Sequence, residues 1–300
     1  MAMNIPRRFL PSLPALSAFE AASRTGSVTS AAKELNLTQS AVSRQIKALE
    51  AQLEISLFRR ERQTIQLTAA GHAYAREVRA ALMRIGAASL NLRANPSGGT
   101  LNVATLPTFG SHWLVPRIGA FLNRHPNIVV NIVTRMTQFD FRSEAIDAAI
   151  HFGENNWAAA ESALLMGETV VPACSKALKK RFAFKQPKDL RNAPLLHLTD
   201  RPDAWEKWLS KYSVDANAVH GMLFDNHAAA AAAAMTDLGV ALLPRFLFGA
   251  EFDEGRLVMA MDRPLEMQSH YYLVWPRDRT TYPPLSMFRK WLVATATSEP

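Results

Sequence analysis

Apolar positions recur at helical spacing through the first third of the chain. Leu13, Leu16, Phe19 and Ala22 or Ser23 predict a helix over residues 11–24, ended by Gly26. Ala31, Ala32 and Leu35 predict a second helix, capped by Ser27 or Thr29. Residues 36–38 lead into a third, with Thr38 as its N-cap and an end near Gln52. Its apolar stripe is Leu37, Ala41, Val42, Ile46 and Leu49. Its polar face carries Thr38, Gln39, Ser40, Ser43, Arg44, Gln45 and Lys47, with no acid until Glu50. "RRERQT" then reads as a polar turn and "IQL" as a strand, together a hairpin or wing. Thr68 is placed to cap a long helix over residues 69–93. There Tyr74, Val78, Leu82, Ile85, Ser89 and Leu92 alternate steps of four and three, a seam of about three heptads. The seam fits a dimer contact or an amphipathic helix packed on its own chain. The dimer is expected, because a helix between two domains has little intrachain surface to cover.

"ANPSGG", residues 94–99, has a linker's composition. Beyond it short strands alternate with helices. Strands are predicted in "TLNVATL", "NIVVNIVT", "DAAIHFG", "TVVPAC", "APLLHL", "GMLF", "VALLP" and "YYLVW". Helices are predicted in "SHWLVPRIGAFLNRHP", "DAWEKWLSKY", "NHAAAAAAAMTDLG" and "PPLSMFRKWLVATAT". This alternation predicts α/β architecture with largely parallel sheets. Residues 100–300 are enough for two small lobes. The alanine run, residues 228–234, reads as a helix that packs closely on a sheet, with a subunit contact as the sharper alternative.

Charge divides the chain at the linker. Residues 1–95 hold thirteen bases against six acids, whereas the remainder holds twenty-one against twenty. A basic small head on a near-neutral body predicts a polyanion-binding domain joined to a different function. No apolar run reaches membrane-span length, and the N-terminal "MAMNIPRRFLPSLP" lacks the apolar core of a signal peptide. A single cysteine, Cys174, excludes an intrachain disulfide and fits a reducing cytoplasm; a buried strand-end thiol is expected rather than a redox sensor. No nucleophile elbow, zinc-protease motif, Walker loop or dinucleotide fingerprint occurs, and the eight histidines lack ligand spacing. No catalytic residue, metal or cofactor is therefore expected.

Two helices joined by a three-residue turn and followed by a basic wing make a helix-turn-helix plan. Gln39 and Gln45 offer paired hydrogen bonds to a base edge. Arg44 and Lys47 reach guanine or phosphate, Ser40 and Ser43 allow close approach, and Arg59, Arg60 and Arg62 track the backbone. The ordered series "FEAA", "GSVTSAAKELNLTQSAVSRQIKALE", "LEISLF.R" and "LTAAG" closely resembles the N-terminal domain of LysR-type transcriptional regulators, with the helix-turn-helix motif over Val28 to Lys47. That family usually has Phe or Tyr at Val28 and commonly Gly at Glu54 or Ile55; neither difference touches the polar face. The resemblance covers residues 11–93. "TLPTFGSHWLVPRIGAFLNRHP…DAAIHFG…GVALLPRFL" is similar to the same family's effector-binding domain, in the branch of the glycine-cleavage activator and the β-lactamase regulator.

The resemblance implies an α+β multi-domain chain. A winged helix-turn-helix spans residues 11–70, a dimerisation helix 69–93, and a two-lobed α/β body like periplasmic binding proteins 100–300. Lobe I would take about 100–170 and 269–300 and lobe II about 171–268, with crossovers near Val170–Pro172 and Met267–His270. It also implies a cytoplasmic, nucleoid-associated homodimer or homotetramer on double-stranded operator DNA, no membrane partner, and RNA polymerase as partner if it activates. A small-molecule effector would lie between the lobes. The runner-up is a small-molecule-binding protein or α/β enzyme with an accessory DNA-binding head. For the effector, Thr105, Pro107, Thr108, Phe109 and Ser111 surround a helix start suited to an anion. A simple helix cap by Thr108 or Ser111 is equally open. Arg135, His151, Gly153, Thr199, Asp225 and His227 sit at strand ends and complete the candidates, although His151 fits a core or rim histidine better. Phe109, Trp113, Phe139, Trp157 and Trp205 fit packing better than an aromatic cage.

Overall fold

The structure, a computed structural model, describes residues 6, 9–61, 64–94, 99–216 and 219–298. They fall into two compact units, Met1–Pro96 and Ser97–Pro300.

The first unit holds α1 (Leu13–Thr25), α2 (Val28–Glu34), α3 (Gln39–Leu53), the antiparallel pair β1 (Phe58–Glu61) and β2 (Thr64–Leu67), and α4 (Ala69–Ala94). Short polar side chains start each of the first three helices. Ser12, Ser27 and Thr38 accept from the N–H groups of Ala15, Ser30 and Ala41. Gly26 ends α1 at φ 65°, as a left-handed cap should. Ala18, Ala22, Ala31, Val42 and Ile46 form one small core. Phe19, Leu49, Leu57, Ala75 and Val78 form another. Leu37 lies outside both and is 46 % exposed, so the α3 stripe narrows to Val42, Ile46 and Leu49, with Ala41 half-buried. Gly71 lies so close to the chain before β1 that an added Cβ would meet the Leu57 carbonyl oxygen at 2.1 Å. The α4 seam is split in two. Tyr74, Val78 and Leu82 pack into the head, whereas Ile85, Ser89 and Leu92 are exposed. The helix thus has intrachain surface to cover along its first half.

In the second unit, β3 (Thr100–Thr105) leads through a wide π-helical turn, Phe109–Leu114, into α5 (Val115–Arg124). One long α-helix was expected there. Pro116 has no N–H for the preceding turn, and Arg117 donates from its side chain to the Trp113 carbonyl at 3.0 Å. Then come β4 (Val129–Thr134), β5 (Ala148–Gly153), β6 (Ala160–Met166), β7 (Thr169–Cys174), α6 (Lys176–Phe182), β8 (Leu195–Leu198), α7 (Ala204–Lys211) and β9 (Gly221–Phe224). Finally α8 (His227–Met235), β10 (Val240–Pro244), α9 (Gly249–Asp253), β11 (Val258–Met259), β12 (Leu265–Glu266), β13 (His270–Pro276) and α10 (Pro283–Thr297) complete the chain.

Within the described residues lobe I has the sheet order β4-β3-β5-β13-β6. Lobe II has β11-β7-β10-β8-β9, with β12 also on β7. Both sheets are mixed rather than largely parallel. β3, β4 and β5 are parallel, as are β8, β9 and β10, whereas β13 and β7, the strands entering each lobe from a crossover, run antiparallel to their neighbours. The first crossover is Gly167–Glu168, between β6 and β7; Val170–Pro172, expected to form it, lie inside β7. The return lies between Glu266 and His270. Leu285, Phe288 and Leu292 bury α10 in lobe I, and Ala230, Ala231, Ala233 and Ala234 bury α8, which packs on lobe II strands. Cys174 is buried, which pushes its thiol up to about 11.

Candidate nucleic-acid interface and interlobe pocket

The polar face of α3 is held out by its own core. Burial of Val42, Ile46 and Leu49 turns Ser40, Arg44 and Lys47 onto the opposite side, at steps of three and four, with Gln39 and Ser43 at its flanks. Thr38, Gln39, Ser40, Arg44 and Lys47 are exposed, and Ser43 and Gln45 are half-buried. Thr38 both caps the helix and lies 3.1 Å from the Ser40 hydroxyl. In the wing, Arg59 donates to Gln66 across the hairpin at 2.9 Å. The side chain of Arg60, and all of Arg62, lie outside the described residues. Glu50, the first acid of α3, accepts from the N–H groups of Leu57 at 2.7 Å and Phe58 at 3.0 Å. It anchors the start of β1. Its carboxylate is therefore engaged within the domain.

In the body, Pro107, Thr108, Phe109, Asp225 and His227 line one small pocket. Asp200, Arg201, Asn226 and Tyr271, which sequence reasoning missed, line it too. Its volume is about 20 Å³, room for one water in this state. Thr108 does not cap its own turn. Its hydroxyl accepts from the Ala228 N–H at 3.0 Å, so a lobe I side chain caps α8 of lobe II. Ser111 donates to the Pro107 carbonyl at 2.9 Å.

The other candidates lie outside this pocket. Thr105 is buried behind its wall, with its methyl group against Gly110. Arg135 reaches outward to Glu144 at 2.8 Å. His151 stands edge-on to Trp157 in the Phe139–Phe141 cluster, and burial lowers its pKa. Gly153 adopts φ 152°, where a Cβ would meet His151 Nε2 at 2.7 Å. Thr199 is exposed and uses its N–H on the Phe224 carbonyl.

A buried ionic hub backs the pocket. Glu168, in the first crossover, pairs with Arg201 of lobe II and accepts from the Tyr271 hydroxyl of lobe I at 2.6 Å. Arg201 also lies 3.9 Å over the Phe152 ring. Burial raises the Glu168 pKa, while Arg201 and the Tyr271 hydrogen bond pull it back. Arg201 Nε and His227 Nε2 are buried without hydrogen-bond partners. Burial, then the nearby Arg201 charge, holds His227 well below its ordinary pKa, hence neutral. Both atoms belong to residues that line the pocket, and a buried polar atom left unpaired is rare in folded proteins. Only the proximity of Glu168 to a strand break hinted at this hub; Arg201 and Tyr271 are 33 and 103 residues away from it. Among the described residues no group of side chains has metal-binding geometry, and no helix is long and apolar enough to cross a membrane.

Comparison with known proteins covers both units. Residues 13–72 match the family described as bacterial regulatory helix-turn-helix protein, lysR family, and residues 94–297 match the LysR substrate binding domain. The glycine cleavage system transcriptional activator of Escherichia coli K12 is 35% identical over 292 residues, which is 97% of this chain and 95% of the relative. The effector domain of the transcriptional regulator AmpR of Pseudomonas aeruginosa superposes with a TM-score of 0.61 at 28% identity, covering 67% of this chain and 97% of that domain. CrgA, a LysR-type regulator from Neisseria meningitidis, shares the fold over 95% of this chain and 99% of its own, with a TM-score of 0.57 at 22% identity.

Proposed function

The chain belongs to the LysR family of transcriptional regulators, and from that premise we propose how its own residues divide the work. Membership makes it a DNA-binding, effector-responsive regulator and not an enzyme. We propose that α3 enters the major groove. Gln39, Ser40, Ser43 and Arg44 would face base edges, and Thr38, Lys47, Arg59, Arg60 and Arg62 phosphates. The observation that carries this is the acid-free polar face of α3, with its one carboxylate, Glu50, tied to the Leu57 and Phe58 N–H groups.

The effector lies between the lobes in the pocket of Thr108, Phe109, Arg201, Asn226 and His227. Arg201 and the neutral His227 supply donors, so the ligand carries an anionic group. A pocket of about 20 Å³ admits it only if the lobes part, and the energy of parting sets the response. The exposed half of α4, Ile85 to Leu92, supplies a homodimer seam, on which a tetramer could be built. The output is activation, the role the name of the Escherichia coli relative gives that protein, and RNA polymerase is then a partner. The site of action is the cytoplasmic nucleoid.

The test is Arg44→Ala against an operator selected from random duplexes by the wild-type chain. Loss of about 1–3 kcal/mol on the selected site, with little change on random DNA, is expected for base readout. Equal losses on both would reduce Arg44 to a phosphate contact.

A further inference from the structure

The near-neutral balance of the body conceals a segregated charge. Residues 176–191 hold seven bases and one acid, which leaves fourteen bases against nineteen acids in the rest of residues 96–300. All seven bases are exposed. Two are engaged: Lys179 donates to the Met259 carbonyl at 2.9 Å, and Arg191 pairs with Asp215 at 3.2 Å. The one acid, Asp189, is spent on its own loop, accepting from the N–H groups of Lys185 and Gln186. Among the described residues, Lys176, Lys180, Arg181, Lys185 and Lys188 form no ion pair. Bases at the C-terminus of α6 answer the helix dipole, but that end offers only about half a negative charge. Lys185 and Lys188 lie beyond the helix altogether. The strip is also stiffened, because the Phe182 and Phe184 rings stack at 5.7 Å and Arg181 lies 5.2 Å over Phe182.

Crowding like charges into sixteen residues of lobe II costs self-repulsion that a polyanion would relieve. We propose that this strip is a second DNA-contacting surface, one that holds the phosphate backbone of duplex flanking the site read by α3. DNA suits it better than an acidic protein. Protein interfaces are built around an apolar centre, whereas DNA interfaces are polar and strongly positive. The strip presents only the half-buried edges of Phe182 and Phe184 among its cations. The partner is also already at hand: once the head is bound, flanking duplex is present at high effective concentration. The contact reads no sequence. It ties lobe II to the path of the DNA. The proposal rests on the head binding DNA.

The experiment compares the full-length chain with a variant in which Lys180, Arg181, Lys185 and Lys188 are all changed to Gln. A second variant neutralises Lys207, Arg256, Arg277 and Lys290, exposed bases elsewhere on the body, and controls for net charge. Binding to a random-sequence duplex of about 60 base pairs is measured between about 50 and 200 mM salt. The strip variant should lower the slope of log affinity against log salt by about 3–4, so that wild type loses about a hundredfold more affinity across that range. The control should not. Equal loss in both variants would reduce the strip to net charge, and no loss in either would leave an acidic protein as its partner; each result overturns the proposal. Arg44→Ala with Lys47→Ala tests the head separately. If that pair weakens binding and the strip variant does not, the head reading stands while this one falls.

Discussion

Removing the Glu168 carboxylate tests whether the ionic hub holds the lobes together. Its side chain is 0 % exposed and that of Arg201 8 %. Glu168→Ala would strand the Arg201 guanidinium with Asp200 at 3.6 Å, an ion-pair distance too long for a hydrogen bond. It would also leave the buried Tyr271 hydroxyl without its acceptor. Breaking a buried ion pair costs about 3–5 kcal/mol. The residual Asp200 contact favours the lower end and the orphaned hydroxyl the upper, so a loss of about 4 kcal/mol is expected. Glu168→Leu combined with Arg201→Met removes both charges and should cost less than Glu168→Ala alone. Urea denaturation followed by tryptophan fluorescence isolates the body, because all six tryptophans lie between Trp113 and Trp291. A Glu168→Ala loss below about 1 kcal/mol, or a double variant that costs the sum of its singles, would refute a coupled buried pair.

Body stability should fall as pH drops below about 6.5, the ordinary histidine value. His227, neutral and fully buried, takes up no proton in the folded state until well below the pH at which the unfolded chain does. Its stabilisation is thus complete above about pH 6.5 and is lost downward at up to about 1.4 kcal/mol per pH unit, readable as a midpoint shift in urea. His227→Leu should flatten that slope. In the head, Glu54 closes α3 at φ 55°, so Glu54→Gly should raise the melting temperature of DNA-binding activity by relieving about 1 kcal/mol of strain. Gly71→Ala should lower it, since the new Cβ would lie 2.1 Å from the Leu57 oxygen unless the backbone moved. Ile85→Glu with Leu92→Glu, on the exposed half of α4, should shift the chain toward monomer in sedimentation velocity while sparing the head core.

The head was legible because its signals are local. Ser27, Thr38 and Gly26 each mark a helix end within four residues of the groups they satisfy. The body was less so, for identifiable reasons. β6, "AESALLM", is built from good helix formers and was not expected as a strand. Its conformation is imposed by pairing with β13, more than a hundred residues later. α6 was overlooked for its brevity, although Ser175 caps it. Among the effector candidates, strand-end position selected two residues that line the pocket, Asp225 and His227, and four that do not. A strand end specifies proximity to a sheet edge, not the direction in which a side chain leaves it. Arg135 and Thr199 show this by sitting at the right edge while engaging neighbours elsewhere.

Two carboxylates illustrate how charge on this chain acquires meaning only with its partners. Glu50 sits on the element proposed to meet phosphates, where a free acid would repel them. The Leu57 and Phe58 N–H groups occupy it, so the acid that interrupts the α3 face also fixes the wing beside it. Glu168 sits in the chain crossover, where a free acid could not remain buried and charged. Arg201 from one lobe and Tyr271 from the other occupy it. In each case the acid joins two elements: α3 to the start of β1, and lobe II to lobe I. An effector anion that drew Arg201 toward itself would weaken the second of these joints, at the crossover between the lobes. On the proposed reading, ligand chemistry and lobe angle would be coupled through one guanidinium.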